Sequence, residues 1–221
     1  MTTAGTVDVA VRMDRMYRHQ RYIYDVSRKF YLIGRDRLLR SIPAEPGDAL
    51  LEIGSGTGRN LVALAKLHPE LSLYGIDASR AMIDTARTVA RRAGVAGRIR
   101  LGFGVGEQAD ARNLGRPSGF DHVVFSYALS MFDEPVAALE RAVSLLAPGG
   151  TLYVVDFSDQ ADLPDWFRRA LIAWLDRFGV RHRPEVARHL RELALADKGT
   201  FTFQPVARRY AEIMTFRPAT R

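Results

Sequence analysis

Residues 49–59, ALLEIGSGTGR, constrain this chain more than any other stretch. Ala49 to Ile53 are apolar except for Glu52, and Gly54, Gly56 and Gly58 follow. An apolar run ending in closely spaced glycines reads as a buried strand that turns into a helix, here 60–68. Glycines at such a turn let backbone N–H groups approach a ligand at the helix N-terminus. A dinucleotide fingerprint needs a further glycine five residues after the first. Position 59 is Arg, so that pattern fails.

Glu52 opposes a dinucleotide as well, because a carboxylate there repels a diphosphate. It suits a ligand without phosphate that carries positive charge. S-adenosyl-L-methionine, with its sulfonium and ammonium, has that chemistry. A second apolar run, Leu73-Tyr74-Gly75-Ile76-Asp77, also ends in an acid. Asp77 lies 23 residues past Gly54, the distance that closes a strand–helix–strand unit. A carboxylate at that strand end can accept hydrogen bonds from both ribose hydroxyls. The alternative is a purely structural turn with ordinary glycines, and the pair of strand-end acids favours the cofactor.

The chain has 221 residues, enough for one domain or one domain with a cap, and 47% hydrophobic residues can bury a sizeable core. It has no cysteine, which excludes disulfides, thiolate metal sites and cysteine nucleophiles. Its histidines (His19, His68, His122, His182 and His189) are scattered, so no metal site is expected. No apolar run approaches the roughly 20 residues of a membrane-spanning helix. The start, MTTAGTVDVAVRMD, lacks the apolar centre of a signal peptide, so a cytoplasmic location is expected.

The formal net charge is +7 and uneven. Residues 1–45 carry nine basic and five acidic side chains, 46–157 carry eleven and twelve, and 158–221 carry twelve and eight. A near-neutral middle with basic flanks suits an anionic partner such as lipid headgroups. Solubility in an arginine-favouring composition is the other reading, since 29 of the 32 basic residues are Arg.

Residues 9–40 contain no proline and one glycine, Gly34, and read as one or two helices. Tyr17, Tyr24 and Tyr31 recur every seventh residue and form one stripe. Arg21, Arg28 and Arg35 follow them by four residues, on the same face. Met13, Met16, Ile23, Val26, Phe30 and Ile33 form a core-facing set. Two readings are open: an amphipathic helix packed on the domain with snorkelling arginines, or a lid that also touches a lipid interface.

Pro43, Pro46 and Gly47 mark a turn, after which strands and helices alternate. Strands are expected at about 49–54, 72–77, 98–104, 121–126 and 151–156, with helices at about 79–93 and 134–147. Asp133 is the expected N-cap of the latter helix, and Pro148-Gly149-Gly150 its stop. Helices at about 163–178 and 184–197 come next, then two strand-like runs, 200–206 and 210–216, able to form an antiparallel pair. Such alternation implies a parallel sheet with a ligand outside the strands' carboxyl ends.

LLEIGSGTGRN, YGIDASRAMI, FDHVVFSYALSMF and LLAPGGTLYVVDF resemble the successive motifs of class I S-adenosylmethionine-dependent methyltransferases. The resemblance implies an α/β Rossmann-like fold with a seven-stranded, mostly parallel sheet in the order 3-2-1-4-5-7-6. With the helical reading of the N-terminus, the expected division is a helical cap, a lid or membrane-contacting segment, at 1–44 and a cofactor-binding domain at 45–221. MDRMYRHQRYIYDVSRKFYLIGRDRLL, SYALSMF and VDFSDQADLPDWFRRAL resemble, more narrowly, the N-methyltransferases that complete the betaine lipid diacylglyceryl-trimethylhomoserine. Bacterial phospholipid N-methyltransferases are similar in plan. A soluble amine methyltransferase, a nucleic-acid methyltransferase and a non-enzymatic lipid-binding module are the remaining alternatives.

On this resemblance Gly54, Ser55, Gly56 and Gly58 face the methionine part of the cofactor, with Glu52 at its ammonium. Asp77 takes the ribose, Ala78 and Met82 border the adenosine, and Ser126 and Tyr127 border the sulfonium. Many class I enzymes carry Gly-Asp-Ala after the third strand. Here the residues are Gly104-Val105-Gly106-Glu107, which leaves backbone near Gly106, or Glu107, for the adenine. Tyr17, Tyr24 and Asp156 are the catalytic candidates for the acceptor amine's proton, with a helix cap as the alternative for Asp156. Tyr31, Arg28 and Arg35 are the substrate-binding candidates. Aromatic faces suit a quaternary ammonium. The arginines suit a headgroup carboxylate or phosphate, or the carboxylate of the cofactor itself. The expected partners are a lipid at an anionic membrane surface and the enzyme that makes the homoserine lipid. No nucleic acid is expected, and the expected location is the inner face of the cell membrane, held peripherally.

Overall fold

The computed structural model describes residues 32–219, apart from 111 and 113. Tyr17, Tyr24, Arg28 and Tyr31 therefore lie outside the described residues.

Five strands, β1 (Ala49–Ile53), β2 (Ser72–Asp77), β3 (Ile99–Phe103), β4 (Phe120–Ser126) and β5 (Leu146–Phe157), run parallel. β6 (Gly199–Val206) and β7 (Ala211–Pro218) close the sheet, with β7 antiparallel to both β5 and β6. The order is β3-β2-β1-β4-β5-β7-β6, the order the resemblance implies. Every residue of β1 is buried, as a central parallel strand covered on both faces requires. This explains why its sequence does not alternate.

Helices α1 (Arg35–Ser41), α2 (Arg59–Leu67), α3 (Arg80–Arg92), α4 (Pro135–Ser144), α5 (Asp165–Asp176) and α6 (Pro184–Leu195) cover the sheet. On one face Leu152, Val154, Met214 and Phe216 pack against Leu139 of α4 and Leu190 of α6. On the other Tyr153, Val155 and Ile213 pack with Leu38 of α1, Leu61 of α2 and Leu175 of α5. Leu38, Leu39 and Ile42 are almost fully buried, so residues 35–42 of the expected lid segment contribute to the domain core. Ile33 departs from its expected core-facing role and is 39% exposed. Its backbone carbonyl is the part held, by the Tyr127 hydroxyl.

Two boundaries differ from expectation. Glu134, not Asp133, occupies the N-cap of α4, because Pro135 fixes the first helical position one residue later than an Asp133 cap would allow. The helix ends at Ser144, and β5 already begins at Leu146 and runs through Pro148-Gly149-Gly150. Leu146 pairs with Phe120, after which the β4–β5 register shifts. A Cβ on Gly150 would lie 2.8 Å from the Phe120 carbonyl oxygen, so glycine is what lets the strands approach there.

Candidate functional site

The site grows from the turn after β1. Gly54, Gly56 and Gly58 all have positive φ (74°, 52° and 73°), a conformation that disfavours residues with a Cβ. The Gly54 and Ser55 N–H groups donate to the Ile76 carbonyl at 2.9 Å, pinning the turn to the end of β2. Asp77 completes the brace. Its Oδ2 accepts from Gly56 N–H at 2.8 Å and its Oδ1 from Ser79 N–H at 2.9 Å. A carboxylate offers about four acceptor positions, and these two amides take one on each oxygen. Ser79 then caps α3 by accepting from Met82 N–H.

A crevice opens at the carboxyl ends of β1, β2 and β4. Gly54, Gly56, Asp77, Ala78, Met82, Gly104 and Gly106 line one side, and Tyr127, Ala128, Met131 and Phe132 line the other. The lining is apolar and aromatic apart from Asp77, the composition of a site for a flat, mostly uncharged group. Tyr127 sits in the left-handed region at φ 53° and is almost fully buried. Its hydroxyl donates to the Ile33 carbonyl at 2.5 Å, and its ring meets Phe157 edge-on at 4.7 Å. Burial, with the Asp156 charge second, pushes that hydroxyl well above the ordinary tyrosine range, so it stays protonated and keeps this bond.

A smaller, polar recess adjoins the crevice through Gly54. Arg35, Glu52, Ser55, Asn60 and Ser126 are among its walls. Asn60 Nδ2 donates to Glu52 Oε1 at 2.6 Å, which orients the buried carboxylate. The Oγ atoms of Ser55 and Ser126 are buried with no hydrogen-bond partner among the described residues. An acid, a guanidinium and two unsatisfied hydroxyls suit a ligand end that bears both an ammonium and a carboxylate. The crevice and its recess thus fit the two ends of S-adenosyl-L-methionine, adenosine in the apolar part and methionine in the polar part.

Several expected site residues stand elsewhere. Gly58 caps α2, and a Cβ there would lie 2.9 Å from Ala86 Cβ, so its smallness serves helix packing. Glu107 is not among the crevice-lining residues. It lies on a short 3₁₀ turn, Gly106–Gln108, where burial, with Asp133 and Glu134 adding to it, raises its pKa. The crevice is met there by Gly104 and Gly106 instead. Arg35, one of the substrate candidates, faces the recess and so suits the cofactor's carboxylate among the alternatives open to it. Ala128, Met131 and Phe132 line the crevice but are not among the sequence candidates. The signal available was the aromatic residue a few positions past the polar end of β4.

Asp156 is also absent from the crevice lining. It is buried, and Ser130 N–H donates to its Oδ2 at 3.0 Å and Phe157 N–H to its Oδ1 at 2.8 Å. It therefore holds the 3₁₀ turn Leu129–Met131 that builds the crevice wall, and acts as a positioning residue. Strand parity explains this: Asp156 follows Leu152 and Val154 onto the α4–α6 face. Glu212 of β7 lies directly opposite it in register. Burial pushes Asp156 up to about 6 and Glu212 up to about 7, and the Asp156 charge adds to the rise at Glu212.

Comparison with known proteins gives the fold and a match over part of the chain. Residues 51–152 match the family described as "Methyltransferase domain". An O-methyltransferase family protein from Burkholderia thailandensis superposes with a TM-score of 0.70 at 17% identity, over 90% of this chain and 59% of that one. The fold is the class I methyltransferase fold. A 27-O-demethylrifamycin SV methyltransferase from Amycolatopsis mediterranei is 32% identical over 55% of this chain and 43% of its own length. A demethylmenaquinone methyltransferase from Beutenbergia cavernae is 31% identical over 72% of this chain and 60% of its own. The chain thus spans about half the length of these curated relatives. The fold and the relatives imply S-adenosyl-L-methionine as the cofactor.

Two outcomes follow. Arg35→Ala should weaken adenosylhomocysteine binding about ten- to a hundredfold, the scale of a lost charge-assisted hydrogen bond. It should leave methylthioadenosine, which has no amino-acid tail, unchanged. Calorimetry checks both, and equal losses for the two ligands would contradict the assignment. The second outcome concerns pH. Asp156 and Glu212 titrate near about 4 when unfolded and higher when folded. The native state retains protons that the unfolded chain has released. The stability they confer is therefore complete below about pH 4 and is lost as pH rises through about 6 to 7. Glu212→Gln should flatten that decline in urea-unfolding midpoints, whereas an unchanged slope would contradict it.

Proposed function

We propose that this chain is an S-adenosylmethionine-dependent methyltransferase that methylates the amine of a lipid headgroup. Diacylglyceryl-homoserine, converted to its trimethylated betaine form, is the acceptor we favour. One observation carries the reading. SYALSMF, a stretch on which the betaine-lipid resemblance rests, forms the crevice wall through Tyr127, Ala128, Met131 and Phe132.

When bound, the cofactor supplies an electrophilic methyl group, open to in-line displacement by the acceptor nitrogen. The chain's own contribution is alignment and exclusion of water, which together supply several kcal/mol. The braced glycine turn and the recess fix the cofactor's tail. Tyr127, locked by its bonds to Ile33 and Val155, fixes the wall beside the reacting end. Rings at that wall also suit a methylated ammonium, which can no longer donate hydrogen bonds. A neutral amine needs no strong base, in keeping with a positioning role for Asp156.

The relative that methylates a demethylated menaquinone, by its name, supports a second reading in which the acceptor is a quinone. Incubation with labelled S-adenosylmethionine and, in turn, diacylglyceryl-homoserine, phosphatidylethanolamine and a demethylated menaquinone separates these. Mass spectrometry should find three added methyl groups on the first alone. Label on phosphatidylethanolamine or on the quinone alone would replace the proposed acceptor.

A further inference from the structure

The far wall of the crevice leaves β4 at Tyr127 and folds through the 3₁₀ turn Leu129–Met131. Inside the turn Met131 N–H donates to the Ala128 carbonyl and Phe132 N–H to the Leu129 carbonyl. A single 3₁₀ turn has poorer hydrogen-bond geometry than an α-helix and is a weak scaffold by itself. Other polar groups of this wall are taken by chain distant in sequence. Ser130 N–H donates to Asp156, Arg181 N–H donates to the Ser130 carbonyl at 3.1 Å, and Arg183 Nη2 donates to the Phe132 carbonyl at 2.5 Å. Arg181 and Arg183 both lie in the connection between α5 and α6. That connection therefore grips the crevice wall from behind.

We propose that Arg183 is a positioning residue for the cofactor, and that it sets how closely the Phe132 ring closes the adenosine end of the crevice. The Phe132 ring is where this wall meets the opposite one. Gly106 lines the opposite side, and a Cβ there would lie 2.9 Å from two atoms of the ring. Phe125 braces the same ring edge-on at 6.0 Å. The ring keeps this seat only while the backbone that carries it stays in place. Arg183 holds that backbone at the residue's own carbonyl. Arg183 is not among the crevice-lining residues, so its effect on a bound ligand passes through Phe132.

The chemistry suits arginine at this place. A charged donor to a carbonyl makes a stronger bond than a neutral one, and the planar guanidinium holds its donors in fixed directions. Glu185, in the first turn of α6, lies 3.6 Å from Nη1, while Nη2 goes to the Phe132 carbonyl. Nε is buried with no hydrogen-bond partner among the described residues, so the side chain forgoes one bond to make this one. Pro184 at the first helical position keeps Arg183 out of the helical conformation, at φ −118° and ψ 73°. The inference rests on the cofactor's seat in the crevice. It is independent of the proposed acceptor.

Arg183→Met keeps an unbranched stem and removes the donors. Folded by circular dichroism, this variant should bind adenosylhomocysteine and methylthioadenosine about tenfold more weakly by calorimetry. The factor should be the same for both, because the two ligands share the adenosine end. Arg183→Lys, which restores a cationic donor, should recover part of the loss. In a Phe132→Ala background Arg183→Met should cost little more, since the ring through which it acts is gone. A loss confined to adenosylhomocysteine, or full additivity of the two substitutions, would overturn the proposal. So would a lowered urea midpoint with native affinity for both ligands, which would leave Arg183 serving the fold alone. If the native chain itself binds neither ligand, the cofactor's seat falls and this inference with it.

Discussion

The structure depends on one carboxylate gripping two amides. Asp77 accepts from Gly56 N–H with one oxygen and from Ser79 N–H with the other. These bonds tie the glycine turn after β1 to the start of α3, at the carboxyl end of β2. Without a carboxylate there, the left-handed conformations of Gly54, Gly56 and Gly58 would have much less to hold them. Glycine reaches these conformations without strain but also many others, so surrounding bonds are what select this one. Close packing adds to the constraint, since a Cβ on Gly54 would lie 2.7 Å from that of Ala128. Ala128 belongs to the opposite crevice wall, so the two walls are set at a distance that only glycine permits.

The same logic sorts the acids of the sheet. Glu52, Asp77, Asp156 and Glu212 lie near a strand's carboxyl end or are turned inward, but their neighbours give them different tasks. Glu52 is held by Asn60 and faces the polar recess. Asp77 braces the turn and faces the crevice. Asp156 lies on β5, three strands along the sheet from β2, is buried, and grips the turn that forms the far wall. Its neighbour Glu212 shares that burial. Burial raises both carboxyls, and the Asp156 charge adds to the rise at Glu212. The recess is therefore the place where charge is available to a ligand, and the β5–β7 end is where charge is suppressed. That division matches a ligand with a zwitterionic tail and a reaction that asks the protein for alignment.

Much of this was legible in the sequence, for reasons that can be named. Strands β1 and β2 are apolar runs with an acid at or next to the end, and the glycines between β1 and α2 have few other uses in such a place. The departures come from information a linear reading lacks. Alternation puts Asp156 with Leu152 and Val154, but which helices cover that face, here those bearing Leu139 and Leu190, is long-range packing. Phe132 reaches the crevice because a 3₁₀ turn folds it back, and long-range bonds hold that turn, among them Ser130 N–H to Asp156 and Arg183 to the Phe132 carbonyl. Gly58 reads like its neighbours Gly54 and Gly56. Only the approach of Ala86 from α3 distinguishes it.

The central claim is that the Asp77-braced turn is the cofactor's seat. Calorimetric titration of adenosylhomocysteine into the native chain and into Asp77→Asn tests it most directly. Asn keeps the size of the side chain but replaces one acceptor oxygen with a donor that would face an amide N–H. The native chain should give one saturable binding event, and the variant, folded by circular dichroism, should give none that can be measured. Equal affinity in the two proteins would contradict the account at its root.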